Sequence, residues 1–430
     1  MSHVTRSRHR FPEPASRSIA SRRGQRGLTL VELMIAVLVA SLLVGFVFEI
    51  QGRMSGAFRS QTNIGSLQQG IRAANELIAR DARLAGFMMP NGARVSAKFG
   101  GAPAGLTPGL VRSDALGNLV PALAVANNPA GMPGDRMQPD RIHFFYADPD
   151  PVVQAVVQAI PSRTSVVVND VTLFQPEDLV LFARRDPAVR FHPLGGNMPL
   201  LVNYFSCIVR LTNVDPGTST LFFDDDSPGP FNTPTNDHCF VNSADEQEAI
   251  SVGTQEKTQV FRLIARAYQI DTTRPAVGAL ERSETGGLGN GVADDWQEIG
   301  IGFVDLQISR RFVEEASDAA DPDGDGNVRM DWYSSDPPAP PPIRQLTQVG
   351  IGLVARTVRS VDGVRGATVP VLTRGNPPTG TAANNPFGDA AGPKNLSHPE
   401  YNPEQEVPAG HHVYRQSATL VDIRNIGVSY

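Results

Sequence analysis

Three groups of residues in this sequence have the types and spacing to do chemistry. The first is Glu32, a carboxylate near the start of an apolar run, Leu28 to Ile50, in which only Glu32 and Glu49 carry charge. A carboxylate inside hydrocarbon is costly, so it is a functional feature by default and calls for a partner. The second is "DPDGDGNVRMDW". Asp321, Asp323 and Asp325 alternate, Gly326 allows a sharp turn, and Asn327 follows, as in the first positions of a calcium loop whose oxygens converge on one hard cation. The pattern then departs, with Arg329 at the ninth position and Trp332 at the twelfth, where a bidentate Glu belongs, although Asp331 stands beside it. A Ca2+ site and a solvated acidic turn both remain open. The third group is Cys207 and Cys239, the two cysteines of the chain. In an oxidising compartment they predict a disulfide, with two buried free thiols as the alternative.

Catalytic machinery is not evident. The sequence has no HExxH, GxSxG or P-loop, and its eight histidines are scattered except for the adjacent His411 and His412. "GGLGNG" around Gly287 lacks the preceding apolar strand and following helix that a phosphate cradle needs, and reads as a loop. The chain is read as a non-enzyme.

The elements that must position these groups begin with the apolar run. As a helix it would be about 34 Å long, enough to cross a hydrocarbon core of about 30 Å. Before it stand seven arginines, Arg6 to Arg26, against the single acid Glu13, a charge of +6 that favours a cytoplasmic N-terminus and leaves the rest of the chain outside. A cleaved secretory signal would be shorter and would end in a small-x-small site, neither of which is seen here. A plain membrane anchor explains the run but not Glu32. Removing the basic segment from a chain of net charge -6 leaves about -12, which argues against nucleic acid as a partner.

Beyond the run, Ile64, Leu67, Ile71, Ala74 and Ile78 recur at spacings of three and four and predict an amphipathic continuation ending near Gly86. Gln68, Gln69, Arg72, Asn75, Arg80 and Asp81 are assigned to its other faces. Gly45, Gly52 and Gly56 weaken the middle, permitting either bending or close helix packing. The remainder predicts strands between long loops: 141–146, 165–168, 179–182, 204–210, 219–223, 258–270, 299–309, 349–356 and 417–423. With 40 Gly and 35 Pro, a β-rich domain is favoured over a helical bundle. The fold class is α+β: a long N-terminal helix packed on an antiparallel β-rich domain with long loops. The boundaries are a leader at 1–27, a membrane or filament-core helix at 28–50, an amphipathic extension at 51–89 and the β-rich domain at 90–430.

"RGLTLVELMIAVLVASLLV" resembles the N-terminus of type IV prepilins, in which a prepilin peptidase cuts after Gly, the new terminal residue is N-methylated, and Glu stands at the fifth mature position. The resemblance implies cleavage between Gly27 and Leu28, with Glu32 pairing with the new amine of a neighbouring subunit. Leu28 replaces the more common Phe, and the leader is long for the family. "LQQGIRAANELIARDARLAGF", "RLIARAYQI", "WQEIGIGFVDLQISRRF", "LTQVGIGLVARTVRS" and "YRQSATLVDIRN" resemble, in order, the PilW family of minor type IV pilins. That resemblance implies a structural subunit that helps initiate the filament near its tip, beside other minor and major pilins and a large tip adhesin. It also implies a single-pass bacterial inner-membrane protein with a periplasmic domain that later joins an extracellular pilus. The competing readings are a type II secretion pseudopilin, which shares the N-terminus, and a membrane-anchored periplasmic enzyme or calcium-dependent adhesin. Residues 92–256 match none of these pieces.

Overall fold

A computed structural model describes residues 29–90, 92–95, 112–114, 117–126, 139–150, 154–185, 204–225, 231–240, 250–252, 257–271, 278–286, 295–314, 330–333, 344–358, 414–423 and 428–429. The chain divides into two compact units, 1–58 and 59–430.

Within the first unit, the described chain is the opening half of a helix, Leu30–Leu84, that passes through Gly45, Gly52 and Gly56 without interruption. Its apolar side chains, among them Leu33, Leu38, Leu43 and Phe46, are exposed. Among the described residues they have no cover, as expected of a segment whose surroundings are lipid or other helices.

In the second unit the same helix becomes amphipathic. Of the predicted stripe, Leu67, Ile71, Ala74 and Ile78 are buried in the main core, joined there by Ala79 and Ala82, while Ile64 is only half-buried. Asn75 and Asp81, assigned above to other faces, are buried as well, at 7% and 0% exposure. Asp81 lies three residues after Ile78 and seven after Ala74, which puts it on the apolar stripe by geometry. What allows a carboxylate there is a set of donors from the sheet. The helix ends through Gly86, whose φ of 79° is the left-handed conformation that a C-terminal glycine supplies cheaply. The Gly86 amide donates to the Phe145 carbonyl and the Ala147 amide to the Phe87 carbonyl, both at 3.0 Å, so the exit from the helix is bonded to the sheet.

Among the described residues the strands form one 14-stranded and one 5-stranded sheet. The spine of the larger is Gln259–Asp271. It pairs antiparallel with Gln154–Ser162 and Leu179–Arg185 through its first residues, and with Arg141–Ala147 and Ala279–Ser283 through its later ones. The smaller sheet is built on Arg344–Arg356, which lies between Phe303–Glu314 and Tyr414–Asp422, antiparallel to both. Asp140 joins the sheets: its amide donates to the Leu306 carbonyl at 2.7 Å and its carboxylate accepts from the Ile308 amide at 2.8 Å.

One predicted strand, 299–309, is divided into Gln297–Ile301 and Phe303–Glu314. Gly302 breaks it with a φ of 91°, and a Cβ there would meet the Arg356 carbonyl oxygen at 2.5 Å. The Gly302 amide donates to Gly278 and its carbonyl accepts from Arg356, each at 2.7 Å, so the break is itself bonded.

Helix and sheets share one core, but the chain between Arg141–Ala147 and Gln259–Asp271 builds a second one. Val157, Val166, Phe174, Phe182, Val209, Leu221 and Phe223 belong to it. Leu179–Arg185 serves both cores by strand alternation, with Leu181 and Ala183 on the helix-side core and Val180 and Phe182 on the second. Much of the described chain within the unmatched stretch 92–256 is therefore a lobe whose strands continue the 14-stranded sheet on both sides of Gln259–Asp271. Its neck is closed by the Arg262 guanidinium on the Asp148 carboxylate at 2.7 Å and by the Asp148 amide on the Arg262 carbonyl at 2.9 Å.

Candidate functional site

The site is the start of the helix. Gly27 and Leu28 lie outside the described residues, and Thr29 opens the structure. The Thr29 carbonyl accepts the first helical bond from Leu33 at 3.1 Å. Its hydroxyl accepts from the Glu32 amide at 3.3 Å, and both its amide and its hydroxyl donate to Glu32 Oε2 at 3.0 Å. This is a reciprocal capping box, in which the N-cap Thr and the Glu three residues later satisfy each other's orphan donors. The T-x-x-E spacing from Thr29 to Glu32 is the sequence signature of this cap, a local role beside the intersubunit one expected of Glu32. Both Thr29 donors fall on Oε2, and among the described residues no bond is seen to Oε1. Capping and an intermolecular pair therefore do not compete for one atom. Further along, Glu49 and Arg53 pair at 2.6 Å, one turn apart and exposed.

The amphipathic half of the helix is fixed to the sheets by polar bonds at two places. Asp81 accepts from the phenols of Tyr268 at 2.5 Å and Tyr146 at 3.1 Å, with Arg80 Nε at 3.5 Å. Burial, then the Asp81 charge, raise both phenol pKa values above the ordinary range, which keeps the hydroxyls protonated as donors. Asn75 donates to the Ser417 hydroxyl at 2.7 Å, reaching the other sheet. Periodicity could not reveal these clasps, because the tyrosines are far from the helix in sequence and look like ordinary strand residues.

Cys207 and Cys239 are bonded, with Cα atoms 5.4 Å apart. Both are fully buried in the second core. The disulfide closes a sequence separation of 32 residues, and losing that restraint costs about 3–4 kcal/mol on the chain-entropy view. The denatured, non-reduced protein is expected to show no titratable thiol, and Cys207→Ser/Cys239→Ser to unfold at lower denaturant. A positive thiol count before reduction would contradict the bond.

Of the remaining histidines, His143 is buried, and its Nδ1–H donates to the Gly286 carbonyl at 2.8 Å. Burial, aided by the charge of Arg141 and opposed by that bond, lowers its pKa to about 4, so it is neutral near pH 7. Beside it, the Asp295 carboxylate accepts from the hydroxyls of Ser283 and Thr285 and from the amides of Glu284 and Thr285. These bonds tie down the chain on either side of "GLGN". The Asp321, Asp323, Asp325 and Asn327 loop lies outside the described residues, as do most of the Pro-rich and Gly-rich tracts. Among the described residues, no three His, Cys, Asp or Glu side chains gather as a metal site.

The family described as a prokaryotic N-terminal methylation motif matches residues 22–48. The match supports a type IV pilin-like or pseudopilin-type protein. It covers Gly27, Leu28, Thr29, Glu32 and nearly all of the apolar run, and it does not extend into the β-rich domain. Together with the exposed apolar helix, it is consistent with membrane anchoring. Proteins with this motif are generally structural rather than enzymatic. Comparison with curated proteins and with solved structures gave no match.

Proposed function

We propose that this chain is a minor pilin of the PilW type. Prepilin peptidase cuts it between Gly27 and Leu28, the new Leu28 amine is methylated, and the apolar helix holds the subunit in the inner membrane until it enters a pilus. The observation that carries this reading is Glu32 within the matched motif: one carboxylate oxygen is bonded to Thr29, and the other has no bond among the described residues. In the filament, Glu32 pairs with the Leu28 amine of a neighbour, and both charges leave lipid together.

The lobe with a second core supports use at few positions, near the tip. A subunit repeated along a helical filament must accommodate an added lobe at every position, whereas one used at an end need not. There it would sit beside other minor pilins and a large tip adhesin, above the major pilins.

Deletion of the gene tests the role. The expected result is loss of surface pili, restored by the full-length gene, with type II secretion unchanged. Normal piliation with failed secretion would instead make the protein a pseudopilin.

A further inference from the structure

The strand Tyr204–Arg210 has one long partner and one short one. It pairs with Leu179–Arg185 over its full length, whereas on the other edge, among the described residues, Ala93–Val95 meets it only where Arg94 faces Cys207. An edge with open amides and carbonyls is a template for a foreign strand, and folded proteins cover such edges. Here the cover is made of side chains. Leu211 exchanges backbone bonds with Glu177 and Asp178 on the paired side, so Arg210, one residue back, turns its amide and carbonyl to the other edge. There Asn232 meets both, as a strand would: Oδ1 accepts from the Arg210 amide at 3.0 Å and Nδ2 donates to the Arg210 carbonyl at 2.7 Å. Two residues further back, the Ile208 carbonyl accepts from His238 Nε2–H at 3.1 Å.

Both covering side chains come from 231–240, which is not a strand. Phe231, Asn232, Asn236, Cys239 and Phe240 are buried, and the segment turns on Asn236, whose φ of 47° is in the left-handed region that Asn tolerates. Asn236 also donates to the Phe223 carbonyl, and Arg163 reaches Asp237, each at 2.7 Å. These are bonds of modest individual worth. The one covalent tie is Cys207–Cys239, and it joins the segment to the strand it covers. We propose that this disulfide is a latch: oxidised, it holds 231–240 against the open edge of Tyr204–Arg210; as two thiols, it frees the segment to lift and bare that edge. Closing the latch turns two thiols into one disulfide and passes two electrons and two protons to the disulfide of an exchange partner, which leaves as a dithiol. Both sulfurs belong to the second core and the buried helix residues to the first, so release is confined to the lobe. The latch stands on the lobe alone and is independent of the filament reading.

Because the sulfurs are buried, the latch is removed by substitution rather than by a reductant. The full-length chain and Cys207→Ser/Cys239→Ser, both in detergent micelles, are compared by amide hydrogen exchange. In the serine variant, exchange at Arg210 and across 231–240 is expected to rise about tenfold or more, while Leu67 to Ala82 and Val349 to Ala355 keep their rates. Asn232→Ala, with the disulfide intact, is expected to release the Arg210 amide alone. Unchanged exchange at Arg210 and 231–240 in the serine variant would overturn the latch. So would a rise spread evenly through helix and sheets, or a variant that does not fold, since either makes the bond a restraint on the whole domain. An Arg210 amide still protected in Asn232→Ala would overturn the side-chain cover.

Discussion

Glu32→Gln leaves the subunit processed and in the membrane but keeps it out of filaments. Glutamine is the informative replacement because it preserves the capping box: its side-chain oxygen still accepts from the Thr29 amide and hydroxyl, and Gln serves at this helix position as well as Glu does. Only the charge is lost. The Leu28 amine of a neighbour would then enter the filament core without a counter-ion, and stranding one partner of a buried pair typically weakens association by about two to three orders of magnitude. Glu32→Val is less clean, since it removes cap and charge together. Thr29→Val provides the converse, losing the hydroxyl half of the cap while keeping the carboxylate, and should reduce incorporation far less. If Glu32→Gln enters filaments normally while Thr29→Val does not, Glu32 is a helix cap and nothing more.

The second large effect is expected at the clasp on Asp81. Tyr146→Phe/Tyr268→Phe removes both phenolic donors from a carboxylate with 0% exposure, while changing almost nothing in shape or apolar area. A buried acceptor left without its donors costs about 1–3 kcal/mol per bond, and more when it is charged, so the pair is worth about 3–5 kcal/mol. In a domain of this size that lowers Tm by roughly 5–10 °C. Amide exchange should rise along the buried helix residues, from Leu67 to Ala82, before it rises in the sheets. The sign of the alkaline response follows from the same bonds. Both phenols have raised pKa values in the folded state, so their contribution is complete below the unfolded value of about 10 and fades as pH rises beyond it. The double variant should lose that alkaline fall. An unchanged Tm with an unchanged alkaline limb would show that the clasp contributes nothing.

How much of this was legible in the sequence depends on whether the cause was local. The helix was, because an apolar run and a stripe with spacings of three and four are local patterns; its buried residues Leu67, Ile71, Ala74 and Ile78 are those the spacing selects. Strands with dense apolar or β-branched content, such as Ser165–Val168 and Tyr204–Arg210, were read to the residue. Gln154–Ser162 and Ala279–Ser283 were missed, since Gln, Ser and Glu interrupt them and pairing with the central strand, not composition, makes them strands. Asp81 and Asn75 are polar residues on the buried side of the helix, where polarity points outward and only position on the helix points inward. The second core was invisible because its members are strung along the sequence from Ala155 to Val260 and become a cluster only after the sheet forms. The cysteine pair was anticipated from compartment and number, but their proximity could come only from the fold.

The central claim is that this chain becomes a pilin-type subunit through its N-terminus, and the most direct test is the mass of the N-terminal peptide of the protein isolated from membranes. The account predicts a peptide that begins at Leu28 and carries one added methyl group on its amine. A peptide that runs uncut through Arg26, Gly27 and Leu28 would contradict it and return the apolar helix to the status of a plain anchor.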